Sequence, residues 1–345
     1  MAKEYEITVI ISTYNRSEML AGALESVLEQ ESGAVGYEVI IVDNNSTDET
    51  REVVEGYIAG GHGNLRYVFE GRQGVSYARN RGIEEARAAI IAFADDDVRV
   101  ARDWVAKIKR AFDSHPDIDC IGGKVLPRWE SEPPLWLTRD HWMPLALQDY
   151  GDEKVSINTD NKLCLVSANL AFRSEAFQET GLFEPELQRV KNGIGSMEDA
   201  ELLERFWATG RRSLYVPDLI VITDVPVERM TKSYHRIWHT GHGYFFAIMR
   251  SEAMEQSSSR LFDVPAHLYR QAVAEAAAWF KCILSGKRER AFAHEIGLRF
   301  FGGFFHKRKQ DFLSNARHGT LHEIFAFVRS LISKKDYRRM SKETG

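Results

Sequence analysis

Cysteine is scarce in this chain: Cys120, Cys164 and Cys282 stand far apart among 345 residues. An odd, sparse set without metal-ligand spacing excludes a disulfide scaffold and fits a reducing cytoplasm. Long apolar runs are also missing. Nothing approaches the roughly 18 consecutive apolar residues of a membrane span. The short apolar run at residues 7–11 follows an acidic flank and does not read as a secretory leader. The expectation is a cytoplasmic protein, soluble or peripheral at the inner face of the plasma membrane. Basic charge is not in excess, since 45 Lys and Arg face 50 Asp and Glu, a formal charge of −5. A partner bound through its phosphate backbone, as nucleic acid is, therefore has no support. No repeat and no low-complexity tract interrupts the chain.

What is present is enough for a core, with 44% hydrophobic and 28% charged residues. Short runs rich in β-branched residues alternate with amphipathic stretches of helical length. Strands are expected at 7–13, 37–42, 65–69, 89–94 and 120–126. Helices are expected at 17–30, 47–58, 76–87 and 102–114. In the first helix Met19, Leu20, Ala23, Leu24, Val27 and Leu28 share one face. The pattern predicts an α/β protein with a Rossmann-like, mainly parallel sheet flanked by helices. The proline- and tryptophan-containing stretch 127–161 is expected as a long loop. Order returns at 163–172, and a further helix is expected from Ser196 to Gly210. Beyond Met230 the chain reads as a helical extension in at least three pieces, making 1–228 one domain (halves meeting at 126/127) and 229–345 another.

In such sheets ligands bind beyond the carboxyl ends of the strands. Three polar clusters fall there: Thr13-Tyr14-Asn15-Arg16, Asp43-Asn44-Asn45-Ser46 and Asp95-Asp96-Asp97. Three adjacent carboxylates repel one another unless a cation joins them, which favours a divalent metal, Mn or Mg, over a solvated acidic turn. Residues 46–49 suit helix capping, with Ser46 or Thr47 as cap. Asp43, at the strand end, could accept a hydrogen bond from a nucleobase imide while Tyr14 stacks on the ring. Gln73 to Gly82 opens a helix whose free N–H groups, with Arg79 or Arg81, suit a phosphate. Ser196 to Glu201 admits two readings: a capping box, or a carboxylate acting as general base. His235, His239 and His242 share a helical face and read as packing or acceptor contact. The aromatic and basic run from Leu298 to Lys309 suits a membrane interface, or packing on the catalytic domain or on a second subunit.

Taken in order, these segments resemble the inverting glycosyltransferases of family two, with the A-type fold. The matching stretches are Val9 to Arg16, Val42 to Asp48, Gly74 to Gly82 and Phe93 to Asp97, then Ser167 to Arg173, Gly181 to Pro185 and Glu198 to Leu202. They span residues 5 to about 225. The resemblance implies a nucleotide-sugar donor, UDP-linked or similar, and a glycan or lipid-linked acceptor. It implies that Thr13, Tyr14, Arg16, Asp43, Arg79, Asp95 and Asp96 hold the nucleotide. Asp97 and Asp95 would hold the metal, and Asp199, or Glu198 beside it, would be the base. Asp224 stands where similar proteins carry a histidine ligand, and its carboxylate is expected to serve as a third metal ligand. Trp136 and Asn169 are expected near the acceptor, with Trp129 and Trp142 also able to stack on sugar faces. Peripheral membrane contact through the carboxyl-terminal helices and a homodimer are further expectations.

Two other enzyme classes fare worse. A sugar nucleotidyltransferase or a dinucleotide-dependent dehydrogenase opens with a glycine-rich loop after the first strand, and this chain has Ser12-Thr13-Tyr14-Asn15-Arg16 there. A degenerate transferase domain serving as a nucleotide- or glycan-binding scaffold draws support only from Asp224.

Overall fold

The computed structural model describes residues 5–188 and 197–315. The chain divides into two compact units, the first ending at Thr231 and the second continuing from Lys232.

The first unit begins with three strand–helix pairs. These are β1 (Ile7–Thr13) and α1 (Ser17–Leu28), β2 (Tyr37–Asp43) and α2 (Thr50–Ala59), and β3 (Leu65–Phe69) and α3 (Val75–Glu85). β4 (Ile90–Asp95), β5 (Val98–Val100), α4 (Trp104–Ser114) and β6 (Cys120–Trp129) follow. The central strands are continuous β-branched runs because both faces are covered: Ile7, Val9, Ile10 and Ile11 are all buried, as are Val39 to Val42. In α1 the residues Leu20, Ala23, Leu24 and Val27 face the sheet, while Met19 turns out to solvent.

The remaining elements of this unit are β7 (Val155–Ile157), β8 (Leu170–Arg173), α5 (Ala176–Thr180), α6 (Glu198–Ala208) and β9 (Ser213–Val225). The sheet runs β3-β2-β1-β4-β8-β6-β9-β5, with β7 also on β9. It is parallel from β3 to β4, as expected. Beyond β4 it is mixed: β8 lies antiparallel to both β4 and β6, and β5 and β7 lie antiparallel to β9. Periodicity cannot distinguish these directions, because a buried strand reads alike whichever way it runs. The stretch after β6 holds short 3₁₀ turns at Arg139–His141 and Met143–Leu145 before β7. Gln148 anchors it, donating to the Gly123 carbonyl and accepting from the Val166 amide.

The second unit consists of α7 (Lys232–Met249), a small hairpin of β10 (Arg260–Leu261) and β11 (Val264–Pro265), then α8 (Ala266–Leu284) and α9 (Arg288–Asn315). Its core contains Ala247, Val264, Leu268 and Phe304, with Phe300, Phe301 and Phe305 packed around them. Of the aromatic run expected at a membrane, a second subunit or the catalytic domain, Phe304 is buried in this unit and its neighbours are partly buried against it. Arg308 is fully buried and paired with Glu255 and Asp263. His242 stacks on Trp238 at 4.4 Å, meets Phe246 edge-on and Phe300 at a tilt, which fits the packing role. The expected helical pieces beyond residue 315 lie outside the described residues.

Two glycines let α7 and α9 touch. A Cβ on Gly243 would lie 1.9 Å from the Phe300 carbonyl oxygen, and one on Gly303 would lie 1.9 Å from that of Thr240. Both obstacles are backbone, so neither can move aside cheaply. Gly302, by contrast, has nothing within 4 Å of its Cβ position. Gly243→Ala and Gly303→Ala should each destabilise this unit by about 2 kcal/mol or more. Gly302→Ala should stabilise it by up to about 1 kcal/mol through helix propensity. Denaturant melts of the three variants check the contrast.

Candidate functional site

Strand register assembles the site. Thr13 pairs with Asp43, and Ser12 with Asp95, so three strand ends finish side by side. The loops beyond them are clasped together. Asn15, held at a φ of 51°, accepts from the Thr47 amide, and Ser46 accepts from the Asn15 amide. Asparagine tolerates this left-handed conformation better than most residues. The capping of this loop differs from expectation. Asp48, not Ser46 or Thr47, accepts from the Thr50 amide and, with its other oxygen, from the Ser17 amide at the start of α1.

The centre of the site is Arg79, on α3. Its buried guanidinium reaches Glu198 at 3.0 Å, Asp199 at 3.1 Å and Asp95 at 3.4 Å, and lies over the Phe183 ring at 5.4 Å. Burial opposes its charge, but the surrounding carboxylates outweigh that and hold its pKa above the ordinary value. A second arginine, Arg16, bridges Asp96 at 2.8 Å and Asp97 at 3.2 Å. Thr13 also donates its hydroxyl to Asp96. Burial pushes the Asp96 carboxyl up to about 6, against the pull of Arg16.

Several residues expected on the nucleotide also have protein partners. Arg79 and Arg16 bind carboxylates, the Thr13 hydroxyl is committed to Asp96, and Arg81 pairs with Glu85 along its own helix. At the start of α3 two amides are already engaged. The Gly74 amide donates to Asn44 and the Ser76 amide to Gln188. Asp43 stays at the strand end, accepting from the Ser46 amide and from the Tyr67 hydroxyl at 2.6 Å. Tyr14 is half-buried in the loop after β1.

Asp199 is held from two sides. Its Oδ1 faces Arg79, while its Oδ2 accepts from both the amide of Ser167, at 3.0 Å, and the hydroxyl of that residue, at 2.9 Å. Burial raises its pKa, Arg79 pulls it back, Glu198 adds to the rise and the Ser167 bonds oppose it; the net direction is upward. The capping-box reading of this helix start does not hold: Met197 occupies the cap position without a side-chain bond, and Ser196 lies outside the described residues. Glu198 is buried, and its Oε2 has no hydrogen-bond partner. Sequence reading missed Ser167, whose only signal is its place in the Ser167 to Arg173 motif.

One further expectation needs correction, and the fold gives two more of the expected residues partners. Asn169 is fully buried and its amide is engaged by Trp104 Nε1 and by the carbonyls of Lys124 and Leu219, so it braces β6, β9 and α4 and cannot meet an acceptor. Asp224 is brought beside Asp97 by the β5–β9 pairing, but both its carboxylate oxygens accept from Arg128. Arg128 is its ion-pair partner in this structure. Trp136 packs edge-on against His141 within its own loop.

Among the described residues no three metal-ligating side chains come together. The charge balance nevertheless suits a cation. Asp95, Asp96, Asp97, Glu198 and Asp199 are five carboxylates neutralised by two guanidiniums, Arg16 and Arg79. Hard divalent ions commonly take one or two protein carboxylates and complete their shell with phosphate and water. Asp95 and Asp97, at the strand end, fit that arrangement.

Fold and site together define a glycosyltransferase of the A-type architecture. The chain belongs to glycosyl transferase family 2, whose model matches residues 8–181, about half of its length. The glucosyl-dolichyl phosphate glucuronosyltransferase of Haloferax volcanii is 22% identical over 81% of this chain and 83% of that protein. Glycosyltransferase AglE of the same organism is 36% identical, but over only 34% of this chain and 39% of its own length. Among solved structures, S. aureus TarS in complex with UDP covers 91% of this chain and 93% of its own, at 17% identity and a TM-score of 0.51. The mannosyltransferase PcManGT from Pyrobaculum calidifontis, in complex with GDP-Man and Mn2+, covers 99% of this chain and 84% of its own, at 17% identity and a TM-score of 0.53.

Removing Arg79 should expose how much the site depends on it. Arg79→Met leaves Glu198 and Asp199 buried without their counter-ion, at a cost of about 3 kcal/mol. The Asp199 carboxyl, already raised by burial, then loses the cation that pulls it back, so its folded pKa lies further above its unfolded one. The penalty is therefore full at pH above the folded value and relaxes as pH falls toward the unfolded value. Denaturant melts across pH should show the variant recovering toward wild type on acidification.

Proposed function

We propose that the chain moves a sugar from a nucleoside-diphosphate sugar to a hydroxyl of a glycan or lipid-linked acceptor, inverting the anomeric centre. The observation that carries this reading is the pairing of Asp199, raised in pKa and fixed by Ser167 and Arg79, with the Asp95–Asp97 strand end. A carboxylate whose affinity for protons is raised suits general-base work on a hydroxyl.

Asp199 takes the proton from the acceptor hydroxyl. The freed oxygen attacks the anomeric carbon from the face opposite the diphosphate, and the bond from that carbon to the diphosphate oxygen breaks. The electron pair leaves with the nucleoside diphosphate, and no covalent intermediate on the enzyme is needed. Arg79 and Ser167 hold the base carboxylate in place throughout. Asp43 faces the base of the nucleotide, with Tyr14 beside it. A Mg or Mn ion on Asp95 and Asp97 would supply charge neutralisation for the departing diphosphate. The names of the relatives support this donor and acceptor chemistry: one acts on a dolichyl-phosphate-linked sugar, and two structural neighbours hold UDP or GDP-Man. A lipid-linked acceptor would bring the enzyme to a membrane face.

Asp199→Asn should reduce transfer by at least about a thousandfold, the range expected when a positioned base is lost. The same variant should keep its thermal stabilisation by UDP or GDP with Mn²⁺, since ligand bound to the folded state raises the melting temperature by mass action. Residual transfer near the wild-type rate would remove Asp199 from the role of base. Loss of diphosphate-induced stabilisation in the wild type itself would favour the scaffold reading. Ser167→Ala, which removes the hydroxyl bond to the base but keeps the amide bond, should lower kcat about tenfold with little change in the donor KM. A rise in KM alone would assign Ser167 to donor binding.

A further inference from the structure

The second unit leaves one helix face uncovered. On α8, Val273, Phe280, Ile283 and Leu284 are 70%, 56%, 48% and 73% exposed. Val273, Phe280 and Leu284 stand at i, i+7 and i+11, which is a single stripe along the helix, and Ile283 borders it. The opposite side of α8 faces its neighbour, as Glu275 shows by pairing with His294 of α9. The stripe is therefore a second apolar face on a helix that already has its intramolecular partner.

Charge collects at the same end. Lys281, Lys287, Arg288 and Arg290 are exposed around the α8–α9 turn, with Glu289 the single acid between residues 281 and 290. None of the four has an ion-pair partner among the described residues. This cluster departs from a chain whose overall charge is −5. Exposed aromatic and aliphatic side chains beside unpaired cations are the composition of a surface that dips into the headgroup layer of an anionic bilayer. No helix among the described residues is long and apolar enough to cross one.

We infer that the carboxyl-terminal half of α8 and the turn to α9 form a membrane-docking surface for anionic phospholipid. Phe280, Ile283 and Leu284 enter the interface while Lys281, Lys287, Arg288 and Arg290 meet the headgroups. This deepens, and rests on, the proposal of a lipid-linked acceptor. It also relocates the membrane contact, because Phe304 of the aromatic run after Leu298 is buried in the unit and its neighbours pack against it. A second copy is a poorer occupant. A two-fold contact would set this basic cluster close to its own image, and like charges brought together repel. The segment after residue 315 is also a poor fit on charge, with Lys334, Lys335, Arg338 and Arg339 in its sequence.

The test is co-sedimentation of the full chain with vesicles of phosphatidylcholine plus phosphatidylglycerol, and with vesicles of phosphatidylcholine alone. No donor or acceptor is present, so the result does not depend on the transfer chemistry. Binding should occur on the anionic vesicles only and weaken as salt rises. Lys287→Gln/Arg288→Gln should lower partitioning about fivefold per cation removed. Phe280→Glu/Leu284→Glu should abolish it, with melting temperature and UDP stabilisation unchanged. The inference is overturned if the wild type ignores anionic vesicles, or if both double variants bind as well as the wild type. It is equally overturned if the wild type is a dimer that Phe280→Glu/Leu284→Glu converts to monomer without vesicle binding by either. In each case intact UDP stabilisation and transfer to a soluble acceptor would leave the proposed chemistry standing.

Discussion

The first unit is organised around one buried cation. Arg79 gathers Asp95 from the end of β4 and Glu198 and Asp199 from the start of α6, more than a hundred residues away in sequence. Burying a guanidinium is costly, and here it is tolerated because several carboxylates answer it and an aromatic ring covers it. The same contact fixes where α6 begins relative to the parallel strands. Without it the acidic start of α6 and the acidic end of β4 would repel, and the candidate base would have no fixed position.

Around that contact the site divides its carboxylates by partner. Asp96 is turned inward to Thr13 and Arg16, where it stabilises the loop after β1. Asp95 and Asp97 stay at the rim. Asp199 is pinned between a cation and a hydroxyl, and its proton affinity rises because burial outweighs both. Adjacent acids thus perform different tasks, separated by their neighbours and not by their own chemistry. The Arg128–Asp224 pair adds a further ion pair beside Asp97, where β5 and β9 meet.

The second unit follows a different logic. Its helices pack through small residues that allow backbone contact at Gly243 and Gly303, and through a dense set of phenylalanines. That economy leaves α8 with an exposed side among the described residues, and the cations of the adjoining turn lend that side a character of its own.

Local physics made much of the first unit legible. Strands β1 and β3 have the bounds that hydrophobic patterning predicts, and α1 to α4 differ from expectation by a few residues at their ends. The polar clusters at the strand ends were readable because a parallel strand buried on both faces must place its first polar residues just beyond it. Partners were not readable. That Arg79 gathers three carboxylates, that Asn169 braces three elements, and that Ser167 holds Asp199 all depend on residues far apart in sequence. Strand direction beyond β4 belongs with them, since a buried strand has the same composition whichever way it runs. The sequence by itself determined where most elements lie and which side chains are available for chemistry, because those follow from periodicity and side-chain type. Only the tertiary structure decided which charge neutralises which, because a buried ion pair is set by where two distant segments come to rest.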